Sequence, residues 1–214
     1  KAQRKADDYY ASGAYARAIT LYEKRLRHKS DPQAMYKLAD CYRLTRSYAN
    51  AEIWYAKAIA SGLITDPIVH FHYGMVRKSN NKPELAKEQF DKYIAGTPGN
   101  QSGIIQINSI KELRNWLSQK PLYTVKTIRG VNSRFSDFGP VYKNKELFFT
   151  SNRDDRDLLN GDNDGATNLA FLSVYTCEIK NMGDDSVVFS KAQKLSRRIN
   201  KDFHNGPLTM GAEG

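Results

Sequence analysis

The chain has 214 residues, room for one large or two small domains, with the 40% hydrophobic and 26% charged content of an ordinary globular fold. No apolar run reaches the ~18 residues of a membrane span, and two cysteines, Cys41 and Cys177, are too few for a disulfide framework or a zinc site and read as small buried hydrophobes. The net charge is +10, of which residues 1–120 hold +9, scattered rather than gathered in a run; this points away from nucleic acid and toward a solvated basic face or an acidic partner.

The first residues, Lys1-Ala2-Gln3-Arg4-Lys5, are already helix-like and show no signal peptide, although a processed terminus would look the same and the compartment stays open. Three segments then superimpose at a period of 33 to 35 residues. Ala18, Ala51 and Ala86 align, each followed by an aromatic (Tyr22, Tyr55, Phe90) and an aliphatic (Leu26, Ile59, Ile94) and preceded by a small residue (Ala6, Ala39, Gly74). Each copy reads as two amphipathic helices. The first pair covers Arg4–Ser12 and Tyr15–His28 around Gly13. Asp31-Pro32 supplies an N-cap and a first-turn proline to a helix over Gln33–Leu44, whose mate covers Tyr48–Ser61 and stops at Gly62. Asp66-Pro67 repeats the start signal, with a break at Asn80–Pro83 and a mate over Glu84–Ala95. The amphipathic stretch Ser102–Ser118 reads as the cap a repeat stack needs.

These copies resemble tetratricopeptide repeats, on Ala6/Tyr9/Ala18/Tyr22, Leu38/Ala39/Tyr42/Tyr48/Ala51/Tyr55/Ala58 and Tyr73/Gly74/Ala86/Phe90. Arg25, Tyr93 and Pro83 depart from the pattern. The resemblance implies a partner-binding concave face on the first helix of each pair, which here holds Asp7 and Tyr10, then Tyr36, Asp40 and Arg43, then Phe71, Met75 and Lys78. Such an aromatic, mixed-charge groove suits an extended peptide or a partner helix.

From Pro121 the helical period gives way to short β-patterned runs: Leu122–Ile128, Gly139–Tyr142, Glu146–Ser151, Asn168–Ile179 and Ser186–Phe189, five strands of an antiparallel sheet. Ser136-Asp137-Phe138-Gly139-Pro140-Val141-Tyr142, followed by Lys145–Arg153 with its Thr150-Ser151-Asn152-Arg153 ending, resembles the propeller blade of TolB-like proteins. Phe203–Met210 looks like the start of another copy, its Gly206-Pro207 67 residues after Gly139-Pro140. One blade and a fragment cannot close a propeller, so the chain reads as part of a longer protein, with Leu122–Ile128 a candidate closing strand of the last blade. The expected fold is therefore an α+β multidomain chain: an all-α solenoid with its capping helix over 1–119, then an incomplete all-β propeller over 120–214.

Asn160-Gly161-Asp162-Asn163-Asp164-Gly165 opens like a calcium loop, but Phe171 stands where the twelfth-position glutamate belongs, so a solvated loop is the better reading and no metal or cofactor is expected. No nucleophile elbow, zinc-protease helix or phosphate loop is present, and His28, His70, His72 and His204 are scattered, so no catalysis is expected.

A tetratricopeptide stack running into a TolB-like propeller is similar to the Bacteroidetes envelope proteins of the OmpA-family, PorE type. That resemblance implies a periplasmic, outer-membrane-associated scaffold of type IX secretion or gliding. It would bind an outer-membrane β-barrel of the PorP/SprF type and tether it to peptidoglycan through a domain outside this chain. The alternative from another class is the non-catalytic front of a propeller-bearing peptidase.

Overall fold

A computed structural model describes residues 2–153, 163–182 and 187–211. These divide into two compact units, one running to Leu122 and taking in Gly165–Thr167, the other comprising the rest from Tyr123.

The first unit is a stack of seven helices: α1 (Ala2–Ala11), α2 (Tyr15–Leu26), α3 (Pro32–Leu44), α4 (Tyr48–Ala60), α5 (Ile68–Ser79), α6 (Pro83–Gly96) and α7 (Gln101–Ser118). The period lies in the backbone as well as in the side chains. The turn inside each pair passes through one residue of positive φ, at Gly13 (78°), Arg46 (61°) and Asn81 (58°), each five residues before the aligned alanine. Each turn also closes with the same bond across five residues: Ala14 N–H to the Tyr9 carbonyl, Ser47 N–H to that of Tyr42 and Lys82 N–H to that of Arg77, the Schellman closure of the first helix. Between the pairs, the Asp31 carboxylate caps α3 by accepting from the Ala34 N–H at 3.1 Å and is itself held by Arg25 at 2.6 Å.

Ala18, Ala51 and Ala86 are fully buried, as are Tyr22, Tyr55 and Phe90 one turn later. The small residues of the first helices are demanded by these rings. A Cβ added at Gly74 would lie 2.5 Å from a ring carbon of Phe90. Helix α7 covers the end of the stack with Ile110, which is 4% exposed and packs with Ala86 and Phe90, while its last turn leaves Trp116 and Leu117 exposed.

The second unit is an antiparallel sheet of β1 (Asp137–Lys143), β2 (Glu146–Ser151), β3 (Ser173–Met182), β4 (Val187–Phe189) and β5 (Gln193–Lys194). A two-residue turn, Asn144-Lys145, with both φ positive, joins β1 to β2, the twist-matched geometry of a tight hairpin. β4 and β5 pair with different parts of β3, on Ile179–Met182 and on Tyr175-Thr176, and together form one interrupted fourth strand. The core is Val131, Phe149, Tyr175 and Cys177; Cys41 and Cys177 are both buried free thiols.

The blade phrase is a lock between its two halves. Arg153 reaches back to Asp137 at 2.6 Å and stacks over the rings of Phe149 and Tyr175, while Asn152 accepts from the Ser136 N–H at 2.9 Å. Residues 207–211 run beside β1 in the same direction. A Cβ on Gly139 would stand 3.0 Å from that of Pro207, and Lys143 Nζ donates to the Gly211 carbonyl at 3.1 Å, a constant offset of 68 residues. The second copy of the phrase thus begins beside the first strand of the sheet. The chain is an all-α repeat stack followed by a partial, unclosed sheet of the kind an incomplete propeller contains.

Two expectations need correction, and one strand was missed. Leu122–Ile128 is not a strand of this sheet: Leu122, Tyr123 and Val125 are 87%, 83% and 94% exposed, and the segment joins no strand among the described residues. The third strand starts at Ser173 rather than Asn168, whose positive φ of 59° belongs to a turn. β5, a polar pair with no alternation to reveal it, was not foreseen. The start of the calcium-like loop, Asn160–Asp162, and the neighbouring Asp154, Asp155 and Asp157 lie outside the described residues.

Candidate peptide-binding groove

The first helices α1, α3 and α5, with α7 after them, line one side of the stack, and the eight residues expected there fall into three repeating positions. The first holds Asp7, Asp40 and Met75, each directly after the small residue. Here the sequence also set the partner. Asp7 accepts from the Tyr22 hydroxyl at 2.7 Å and Asp40 from the Tyr55 hydroxyl at 2.9 Å, whereas Met75 stands by Phe90, which has no hydroxyl to donate. These carboxylates tie the two helices of a pair together. Asp40 is only 4% exposed and also accepts from Arg43 at 2.7 Å and Tyr10 at 2.7 Å, so it braces the face from beneath rather than projecting from it.

The second position holds Tyr10, Arg43 and Lys78. Tyr10 reaches forward to Asp40 of the next pair. Arg43, whose forward neighbour would be Met75, turns back to Asp40 on its own helix. Lys78 reaches α7, donating to Gln106 Oε1 at 2.9 Å and Ser109 Oγ at 2.6 Å. The third position holds Tyr36 and Phe71, both half-buried. Tyr36 meets Tyr55 edge-on at 6.1 Å, and Phe71 packs on Phe90 and Tyr93 at 5.8 and 5.0 Å.

Two further residues belong to this face and were not foreseen. Lys37 and His72 occupy equivalent places, two before the small residue, and each faces the carboxylate of the preceding first helix. Lys37 binds Asp7 at 2.6 Å. His72 Nδ1 stands 3.7 Å from Asp40, beyond hydrogen-bond reach, and makes no hydrogen bond among the described residues. The period itself could have found both, since the two carboxylates are in phase.

Burial alone would raise the pKa of Asp7, but the bonds from Lys37 and Tyr22 hold it below the usual carboxylate range. Burial, followed by the nearby Asp40 charge, pushes Tyr36 up to about 12, and it pushes Tyr10 and Tyr55 up as well. His72 is lowered by burial and then by the Arg43 charge, against the pull of Asp40, so its ring is neutral near pH 7. Burial lowers Lys78. Such a face can present aromatic and thioether surface beside fixed cations and hydroxyls.

Residues 4–62 match the tetratricopeptide repeat family, and the helical unit is a tetratricopeptide-like stack of helix pairs. No curated protein matches the chain. Among solved structures, the C-terminal part of a TPR repeat-containing protein from Cytophaga hutchinsonii aligns at 19% identity and a TM-score of 0.49, over 52% of this chain and 44% of that one. The chain thus spans less than half the length of that relative. The first TPR of Spaghetti (RPAP3), solved with an HSP90 peptide, aligns at 21% identity and a TM-score of 0.47, over 53% of this chain and 90% of that one. Among the described residues no helix is long and apolar enough to cross a membrane, and no cluster of His, Cys, Asp and Glu could hold a metal ion.

Proposed function

We propose that this chain is a scaffold that holds a partner polypeptide against the face of α1, α3, α5 and α7, acting by binding rather than catalysis. One observation carries the reading: the first helices are cross-braced by Tyr10–Asp40, Lys37–Asp7 and Lys78–Ser109, which holds the half-buried Tyr36, Phe71 and Met75 in place as a preorganised surface. Preorganised aromatic surface binds at low entropic cost.

The finer reading places this scaffold in a bacterial periplasm at the outer membrane. There it engages a β-barrel of the PorP/SprF type and connects to peptidoglycan through a region outside this chain, in type IX secretion or gliding. The support is the order of a tetratricopeptide stack followed by the TolB-like phrase, together with a net charge of +9 on residues 1–120, which suits an acidic or lipid-proximal partner. Binding of the chain to a purified PorP/SprF-type barrel in detergent, measured by biolayer interferometry, tests it. A Tyr36→Ala variant that melts with the wild type is expected to weaken the complex about tenfold, the cost of one aromatic anchor. A barrel that does not bind at all would remove the envelope assignment.

A further inference from the structure

Among the described residues of the helical unit, Arg25, Lys37, Arg43, Arg77 and Lys87 are half-buried basic side chains, and each faces a carboxylate: Asp31, Asp7, Asp40, Glu52 and Asp91. Lys78 is half-buried too, and both its partners are neutral. The repeat explains the exception. Tyr10, two copies earlier, reaches a carboxylate on the next first helix, and Arg43, one copy earlier, falls back on the one three residues before it. At Lys78 both places are apolar: Met75 lies three residues before it, and Ile110 takes the aligned place on α7. An ammonium has three N–H donors. Gln106 and Ser109 take two of them, leaving one unspent on a cation already partly stripped of water.

We propose that Lys78 receives an Asp or Glu side chain of the bound partner, so that the groove selects an acidic residue flanked by apolar ones. The proposal rests on the groove being the binding face and adds the chemistry that face selects. An anion is the charge complement of this amine, and Gln106 and Ser109 fix it so that its free donor has a defined direction. The apolar flanks follow from Phe71 and Met75 on the same helix. A side chain rather than a chain terminus is specified because the face continues on both sides of Lys78, through α3 and through α7.

The test is selection of a random peptide library against the chain, with each peptide fused at both ends so that no free C-terminus is present. Wild-type protein is expected to enrich Asp or Glu about tenfold at one position, the equivalent of a single charge-assisted hydrogen bond. The enrichment should vanish with Lys78→Met and persist with Lys78→Arg. Lys78→Gln serves as a second neutral variant should the methionine one melt early. Ser109→Ala, which removes a brace but keeps the ammonium, should retain it. Peptides selected without an acidic position, or an acidic position that survives Lys78→Met, would overturn the role of Lys78 while leaving the groove intact. Loss of the acidic position in Ser109→Ala as complete as in Lys78→Met would show a merely structural role and also overturn it. If no peptide is selected by any variant, the groove itself is not a binding face, and Lys78 falls with it.

Discussion

Tyr55 donates its hydroxyl to Asp40 across 2.9 Å, joining the two helices of the second pair beneath the groove. The same bond joins Tyr22 to Asp7, and the third pair loses both ends at once, with Phe90 and Met75 in their places. The two positions therefore act as a unit.

Removing the hydroxyl alone, in Tyr55→Phe, should cost about 1.5–3 kcal/mol, the range for a hydrogen bond to a charged group. Asp40→Met should cost more, about 3–5 kcal/mol, because it strands Arg43 and the hydroxyls of Tyr10 and Tyr55. The double variant, which copies the third pair, should lose clearly less than the sum of the singles. Urea unfolding measures all three, and strict additivity would refute the coupling.

Arg46 carries the left-handed turn that Gly13 carries in the first pair, at φ of 61° and 78°. Without a glycine's freedom, that conformation costs about 1 kcal/mol or more. Arg46→Gly should therefore stabilise the chain by about 0.5–1 kcal/mol despite the looser unfolded state. Gly13→Ala should destabilise by about 1 kcal/mol for conformational reasons alone, since a Cβ there meets nothing within 4 Å. Thermal melts of the two variants moving in the same direction would contradict this.

These relationships show which part of the molecule could be read from the sequence. The helix pairs were legible because burial imposes a period on Ala18, Ala51 and Ala86 that needs no knowledge of partners. The blade phrase was legible because Gly139-Pro140 and Arg153 are special residue types at fixed places. The candidate groove was legible only as a set of positions. That Asp40 would be covered and Lys78 left without an anion depends on what lies one repeat away. The failure at Leu122–Ile128 has the same root, since alternation states that a strand could pair, and pairing needs a neighbour.

Gly74→Ala tests the close approach in the third pair. The added Cβ would meet the Phe90 ring at 2.5 Å, and Phe90, fully buried against Ile110, has nowhere to retreat. Overpacking of about 1–3 kcal/mol should outweigh the ~1 kcal/mol that alanine gains over glycine in a helix. Phe90→Leu in the same chain should recover part of the loss. A Gly74→Ala variant as stable as the wild type would show that the ring can shift.

Arg153→Lys tests the lock of the sheet unit. The charge remains, but a lysine cannot lie flat over Phe149 and Tyr175 while bonding Asp137. The substitution should cost about 1–2 kcal/mol. Amide exchange should quicken along β1 and β2 and stay unchanged in α3 and α4. Equal quickening in both units would assign the effect to something other than this contact.

Two steps are expected as the pH falls. The neutral His72 ring has a folded pKa below that of free imidazole, so the unfolded chain binds its proton first. Stability present above about pH 6.5 is then lost as the pH drops toward the folded value. Asp7, Asp31, Glu52 and Asp137 have folded values below those of free carboxylates, held there by Lys37, Arg25, Lys82 and Arg153 against the cost of burial. Their contribution is present above the free values of 3.8 for the aspartates and 4.5 for Glu52 and disappears as the pH falls through the folded values. Melting temperature followed from pH 8 to 2 should therefore decline gently below 6.5 and steeply below 4. His72→Gln should flatten the first segment and Asp31→Asn should reduce the second. A profile that Asp31→Asn leaves unchanged below pH 4 would place acid sensitivity outside the cap of α3.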